Sequence, residues 1–438
     1  TIGNAQVVAP AGSGKTKVLI NHTAELVSRG VKPSRVLCLA YNRDARDQMA
    51  TRLTDISIPT QTASSRKKTG ATVSTFNAFG YALLNEYTGQ RFEYYDDKKT
   101  DELKDTAHKD IRRDETDSDL DIPYIRGKLP WETILEEFSR IKNGLVLPSE
   151  SSFEVKVSDT KVVELPTSKY LSTFDNENVK KKMMTFDDQL YRAVSILIRD
   201  PSFRKRIQLR YSHIVVDEYQ DLNPVQVNLL KILSAKGQPI FAVGDDDQLI
   251  YTWRHVKDTN LRDVVSNFGY TKTYKLDTNY RSSVAVVNSS QQLISYNKNR
   301  ISKVIQPGPN NEKGVARVRT EDSINNQLSR IVESIKELKK NSTSGNAIAI
   351  LARQNASLVL VAHALDKAGI KRTSLRGVSL FSTPVAVKLM NYLKVIREPK
   401  LATSQEICDV INKPNRYLSN EFVGHLLEKE NCWSYIVA

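Results

Sequence analysis

The chain has little of what builds covalent or metal-bound scaffolds. Its 438 residues include three cysteines, four methionines, three tryptophans and six histidines. Cys38, Cys408 and Cys432 are odd in number and far apart. That argues against a disulfide framework and against a cysteine-based zinc or iron–sulfur site, and suits a reducing compartment. The histidines show neither an HExxH pattern nor a paired ligand spacing. No apolar run is long enough to span a bilayer, and no signal-peptide pattern appears. The expected setting is therefore the cytoplasm, at the nucleoid if the source is bacterial. No internal repeat of solenoid period is visible.

What is present is charge of one sign in excess. With 40% hydrophobic and 26% charged residues the composition is globular, and the formal net charge is +14. Such a surplus favours a polyanionic partner, nucleic acid or an acidic membrane surface, although solubility alone could account for it. The basic runs at 66–68, 112–113, 180–182 and 339–340 are scattered, and each reads as a solvated face. A chain of this length predicts about two to four domains.

Short apolar runs alternate with helical periodicity, the rhythm of a parallel sheet with crossover helices. QVVA (6–9), RVLCLAY (35–41), ATVSTF (71–76), HIVVDE (213–218), PIFAVG (239–244), KTYKL (272–276) and AIAIL (347–351) predict strands. The rhythm breaks between 86 and 185, where a charged stretch (96–121) reads as exposed helix or loop and 131–141 has helical periodicity. This segment predicts an inserted accessory domain. A helix is predicted after Arg281, and an amphipathic one over 323–340.

VVAPAGSGKTKVLI (7–20) reads as strand, glycine loop and helix. Ala9 stands where the strict phosphate-loop pattern has its first glycine. Ala11, Gly12, Ser13, Gly14, Lys15, Thr16 and Lys17 follow as the candidate nucleotide cradle. Glycines let backbone N–H groups turn towards phosphate, Lys15 reaches the β- and γ-phosphates, and the Thr16 hydroxyl ligates Mg²⁺. HIVVDEYQD supplies the acids that such a loop needs. Its apolar strand carries Asp217 and Glu218 to the sheet's carboxyl edge, Asp217 for Mg²⁺ and Glu218 for the attacking water. The ordering predicts an NTPase, without saying what the hydrolysis drives.

GDDDQLIYTWRH (244–255) places three acids beside Tyr251, Trp253 and Arg254. Read alone, the acids suggest a metal site; beside Asp217 and Glu218 they read as loop-shaping residues. In order, APAGSGKT, VVDEYQDLNPVQ, VGDDDQLIYTWR and LDTNYRSS resemble the motifs of UvrD/Rep/PcrA-type superfamily 1 DNA helicases. LCLAYNRDARDQM, TFNAFG, FSRIKNGLVLP, TFDDQL, AILARQNA, GVSLFS and INKPNRYLS extend the resemblance over nearly the whole chain. It implies an α/β fold of RecA-like P-loop NTPase parallel sheets with an inserted, mainly helical accessory domain. The boundaries expected are 1–85 with 186–283 for the first RecA-like domain and 86–185 for the insertion. Residues 284–400 would be part of the second RecA-like domain, and 401–438 the start of a second insertion.

The resemblance also implies roles. Gln248 would sense the γ-phosphate, Arg281 would act as an arginine finger in cis, and Tyr280 would stack on adenine. Tyr251, Trp253 and Arg254 would face single-stranded DNA, with Tyr41 and Phe76 along the same groove. ATP and Mg²⁺ are the implied cofactors; single-stranded DNA and its junctions with duplex are the implied partners, with 3′→5′ polarity. Arg43-Asp44 and Lys17 depart from the usual residues of their motifs. The family's upstream glutamine motif and its two C-terminal motifs are not in the sequence, so a piece of a longer protein is expected, with little DNA-stimulated ATPase of its own. Two other readings stay open: a helicase subunit of a nuclease-coupled recombination or phage-defence complex, and a nucleotide-gated DNA-binding module.

Overall fold

A computed structural model describes residues 3–66, 69–94, 131–146, 152–158, 161–252, 255–341, 348–373, 384–413, 416–427 and 432–437. The chain divides into two compact units, Thr1–Ala316 and Arg317–Ala438. A seven-stranded parallel sheet organises the first. Its strands are β1 (Asn4–Val8), β2 (Val36–Ala40), β3 (Thr60–Gln61), β4 (Ala71–Thr75), β5 (His213–Val216), β6 (Ile240–Gly244) and β7 (Thr271–Lys275), in spatial order β7-β1-β6-β5-β2-β4-β3. Every residue of β2 and β6 is buried, as expected of central strands covered on both faces.

Alternation along the strands feeds two cores. Leu37, Leu39, Ile214, Val216 and Ala242 face the helices Phe76–Thr88, Phe186–Arg199, Pro201–Arg210 and Pro224–Ser234. Val36, Cys38, Val215, Phe241 and Val243 face Lys15–Ser28 and Arg43–Asp55. Burial pushes the Cys38 thiol up to about 12, which keeps it protonated and unreactive. In-register pairing of Val8 with Gly244, Ala242 with Val216 and Val216 with Leu39 brings the strand ends to one edge. Six of the seven strands read from the sequence are present within a residue or two.

The segment between the helices Phe76–Thr88 and Phe186–Arg199 is helical, as expected, over Trp131–Gly144 and Thr167–Lys180. It also holds an antiparallel hairpin of Ser152–Ser158 and Lys161–Pro166, which the sequence reading did not include. The charged stretch 96–121 lies outside the described residues. Lys142 pins this segment to the sheet domain: its Nζ lies 2.6 Å from Asp188 Oδ1 and 2.8 Å from Asp175 Oδ1, and the Lys142 and Asp188 side chains are 2% and 0% exposed. Burial works against the Asp188 carboxylate, but the Lys142 and Arg192 charges prevail and hold it below its ordinary range. Asp188 also closes a capping box with Thr185. Lys142→Met leaves that buried carboxylate with only the more distant Arg192, at 3.5 Å, to offset its charge. It is expected to cost about 3–5 kcal/mol of stability, read by urea unfolding.

In the second unit the described elements are helical: Ile324–Asn341, Asn355–Lys367, Pro384–Arg397, Ser404–Ile411, Asn420–Leu427 and Cys432–Val437. The strand expected at AIAIL is a correction. Residues 348–351 form no strand, and residue 347 lies outside the described residues. A strand needs a hydrogen-bonded neighbour, and among the described residues of this unit there is none to pair with. GVSLFS (377–382) lies outside the described residues. Among the described residues no helix is long and apolar enough to cross a membrane.

Candidate functional site

The carboxyl edge of the sheet collects four loops. After β1 the chain turns through Gly12 (φ +74°) and Gly14 (φ +94°), left-handed conformations that glycine adopts without strain. Gly14 caps the helix Lys15–Ser28 and offers no side-chain acceptor. The first-turn N–H groups are thereby left for an anion. Ser13 closes the turn onto the Pro10 carbonyl, with its Oγ donating at 2.7 Å.

After β5 come Asp217 and Glu218. The sequence reading put both on the strand, but β5 ends at Val216. Glu218 takes a left-handed backbone (φ +47°, ψ +49°), which costs a non-glycine residue about 1–3 kcal/mol. The turn aims its carboxylate at the phosphate loop: Lys15 Nζ is 2.7 Å from Glu218 Oε2. Lys15 also donates to Gln248 Oε1 at 3.1 Å, from the loop after β6. Lys15, Glu218 and Gln248, from three separate strand ends, thus meet at one ammonium.

Gln220, which the sequence reading passed over, ties these loops together. Its Nε2 donates to Glu218 Oε2 at 2.8 Å, and its Oε1 accepts from the Asp245 N–H at 2.9 Å. A Cβ on Gly244 would collide with the Gln220 Oε1, which explains the glycine at the end of β6.

Negative charge is in excess here. Burial first, then the neighbouring Glu218 charge, pushes Asp217 up to about 6 and Asp221 up to about 7. Asp221 Oδ1 is buried without a hydrogen-bond partner. Oxygen donors short of positive charge suit a hard divalent cation, so Asp217 fits the expected Mg²⁺. The acids Asp245, Asp246 and Asp247 do not: they surround the ammonium of Lys303.

The fourth loop carries Tyr280 and Arg281. Asn279, missed from the sequence, docks it on the phosphate loop. Its Nδ2 donates to the Ala11 carbonyl at 2.9 Å, its Oδ1 accepts from the Arg281 and Ser282 N–H groups at 2.8 Å, and the Tyr280 N–H donates to the Gly12 carbonyl at 2.9 Å. A Cβ on Gly12 would lie 2.5 Å from Asn279 Oδ1 and 2.9 Å from the Arg281 Cβ. Tyr280 is 67% exposed.

Beyond Gln248 the same loop reaches Tyr251, whose ring lies 5.1 Å from that of Tyr41 at an angle of 30°. Tyr41, Arg43, Arg46 and Asn77 line one side of a groove of about 1490 Å³, and Glu137 and Arg140 of the inserted helix line the other. Phe76 is a correction. As the first residue of its helix, capped by Thr75, it turns into the core and is 1% exposed, with no face to offer a base. Trp253 and Arg254 lie outside the described residues.

Residues 1–269 match the UvrD/REP helicase N-terminal domain, and residues 274–437 match the UvrD-like helicase C-terminal domain. The chain belongs to the UvrD/Rep helicase family. Among curated relatives, the ATP-dependent DNA helicase PcrA of Leuconostoc citreum is 26% identical over 98% of this chain and 55% of its own length. The ATP-dependent DNA helicase Rep of Escherichia coli K12 is 27% identical over 94% and 59%. The putative ATP-dependent DNA helicase YjcD of Bacillus subtilis 168 is 25% identical over 90% and 50%. The chain spans about half the length of the curated relatives it matches. The boundary between the two UvrD-type matches falls between 269 and 274, just before the Asn279–Arg281 segment that docks back on the phosphate loop.

Proposed function

We propose that the chain forms the nucleotide-binding and single-stranded-DNA-binding core of an ATP-dependent DNA helicase. One observation carries this reading. A single loop, Asp245–Tyr251, touches Lys15 of the phosphate loop at one end and at the other sets Tyr251 against Tyr41, which lines the groove.

The residues divide the work as follows. Gly12, Gly14 and the first-turn N–H groups cradle the phosphates, and Lys15 leaves Glu218 and Gln248 to neutralise the γ-phosphate. Glu218, once released, orients and deprotonates the attacking water. Gln248 senses the γ-phosphate, and Arg281 counters charge developing on its oxygens. Thr16 and Asp217 would hold Mg²⁺, which when bound polarises the phosphates and neutralises part of their charge. Tyr280 stacks on the base. Tyr41 and Tyr251 stack on DNA bases without regard to sequence, and Trp253 and Arg254 extend that contact. Movement is 3′→5′ on single-stranded DNA, with duplex separation at a junction, in the cytoplasm.

The test is titration of labelled oligo-dT with the wild-type chain and with Tyr41→Ala/Tyr251→Ala, beside a nucleotide titration. Stacking contributes about 1–3 kcal/mol per base, so the double variant is expected to bind DNA on the order of 10²-fold more weakly while keeping its nucleotide affinity. Unchanged DNA binding would remove the tyrosines from the groove reading. A wild-type chain that binds no nucleotide would end the whole proposal.

A further inference from the structure

A distant segment holds the acid triplet in place. Asp245, Asp246 and Asp247 lie close enough together to share one cation, and that cation is an ammonium. Lys303 Nζ stands 2.8 Å from Asp245 Oδ1, 2.5 Å from Asp246 Oδ1 and 2.8 Å from Asp247 Oδ2, with 1% of its side chain exposed. Arg300 adds a forked contact to Asp247, its Nε at 2.9 Å from Oδ1, and the Ile301 N–H donates to Asp246 Oδ2 at 2.5 Å. These residues follow the helix Val284–Ile294, more than fifty positions along the chain from the acids they hold.

Asp245 is the acid that transmits this anchoring. Its Oδ1 faces Lys303, while its Oδ2 accepts from Gln248 Nε2 at 2.6 Å. A carboxylate only accepts, so it selects the amide nitrogen of Gln248 and turns the amide oxygen towards Lys15, at 3.1 Å. One amide N–H remains for a phosphate oxygen. Burying an ammonium among three carboxylates is a costly way to gain stability, because desolvation opposes the attraction. What the arrangement does supply is a fixed direction for Gln248.

We propose that Lys303 is a positioning residue which, through Asp245, orients Gln248 towards the γ-phosphate, with Arg300 bracing the same loop. This rests on the reading of Gln248 given above. A merely structural lysine would affect all nucleotides alike; a positioning lysine affects only recognition of the third phosphate.

The readout is the preference of the whole chain for ATPγS over ADP, each measured with a fluorescent analogue. Three variants carry the test: Gln248→Ala, Asp245→Asn, and Lys303→Met combined with Asp246→Asn, which removes one charge of each sign. Asp245→Asn keeps the shape and leaves Lys303 two carboxylates, so it tests the link even if the Lys303 variant fails to fold. Each is expected to lower the preference by about tenfold or more, the worth of one hydrogen bond to a charged group, with ADP affinity unchanged. Adding Gln248→Ala to either of the others is expected to lower it no further, and Lys303→Arg to restore part of it. A folded Asp245 or Lys303 variant with wild-type preference, or with ADP and ATPγS weakened equally, overturns the proposal. If Gln248→Ala keeps the wild-type preference, the γ-phosphate reading of Gln248 fails first, and the role of Lys303 with it.

Discussion

Arg281→Ala is expected to slow ATP cleavage by about 10³–10⁵-fold, the range seen when an arginine that meets the transferring phosphoryl group is removed. The geometry makes this a clean test. The Arg281 backbone is fixed by Asn279, whose side chain spans from the Ala11 carbonyl to the Arg281 N–H. Alanine keeps that N–H, so the segment stays docked and only the guanidinium is lost. Nucleotide affinity should therefore change by less than about tenfold, since the ground-state contacts of the loop survive. Arg281→Lys should recover little, because an ammonium cannot reproduce the planar fork. Single-turnover cleavage of ATP with the protein in excess reads the first quantity, and a nucleotide titration reads the second. Cleavage within about tenfold of wild type in the alanine variant would remove Arg281 from the chemistry and leave the docking as purely structural.

Much of the first unit was legible because of where its strands sit. Strands buried on both faces must be continuously apolar, and VLCLA and IFAVG are. The strand ends were legible too: acidic residues replace the apolar run just where strand pairing stops, at Asp217 and Asp245, although both are themselves buried. AIAIL has the same composition, yet its described residues 348–351 form no strand, since composition does not supply a partner. Phe76 shows the opposite error. Its motif placed it near the groove, and helix geometry turned it into the core. The left-handed turn at Glu218 left no trace in the residue types, because glutamate is not a residue that such a turn favours.

What stayed hidden was pairing over long separations. Gln220, Asn279, Arg300 and Lys303 are polar residues with no periodicity, and each acts on a loop contributed by another part of the chain. One signal was available for the last two. Three adjacent acids at the end of a buried strand need counter-cations, and NKNRISK offers three basic residues after a predicted helix, of which Arg300 and Lys303 meet the acids. The buried ion pair at the insertion was hidden in the same way. Nothing in FSRIKNG says that Lys142 will be buried, yet its partner Asp188 lies in TFDDQL, just past the end of the insertion.

Glu218→Gln separates the two jobs that the proposed function gives one carboxylate. As the base, Glu218 takes a proton from water, and its loss is expected to slow cleavage by about 10²–10⁴-fold. As the partner of Lys15 at 2.7 Å, it also competes with the γ-phosphate for the same ammonium. Glutamine is nearly isosteric and can still accept from Gln220 Nε2, so the left-handed turn and the loop contacts are expected to hold. It carries no charge, however, and its grip on Lys15 is weaker than a charge-assisted bond. Binding and chemistry should therefore move in opposite directions. ATPγS affinity is expected to be retained or tightened while cleavage collapses, in the same titration and single-turnover assays. If affinity and cleavage fell together, Glu218 would be a ground-state contact and the attacking water would need another base. The nearest other carboxylates are Asp217 and Asp221, both pushed up by burial first and then by the charge of Glu218. Removing that charge lowers the second contribution, so Asp221→Asn in the Glu218→Gln background is the variant that would reveal a substitute base.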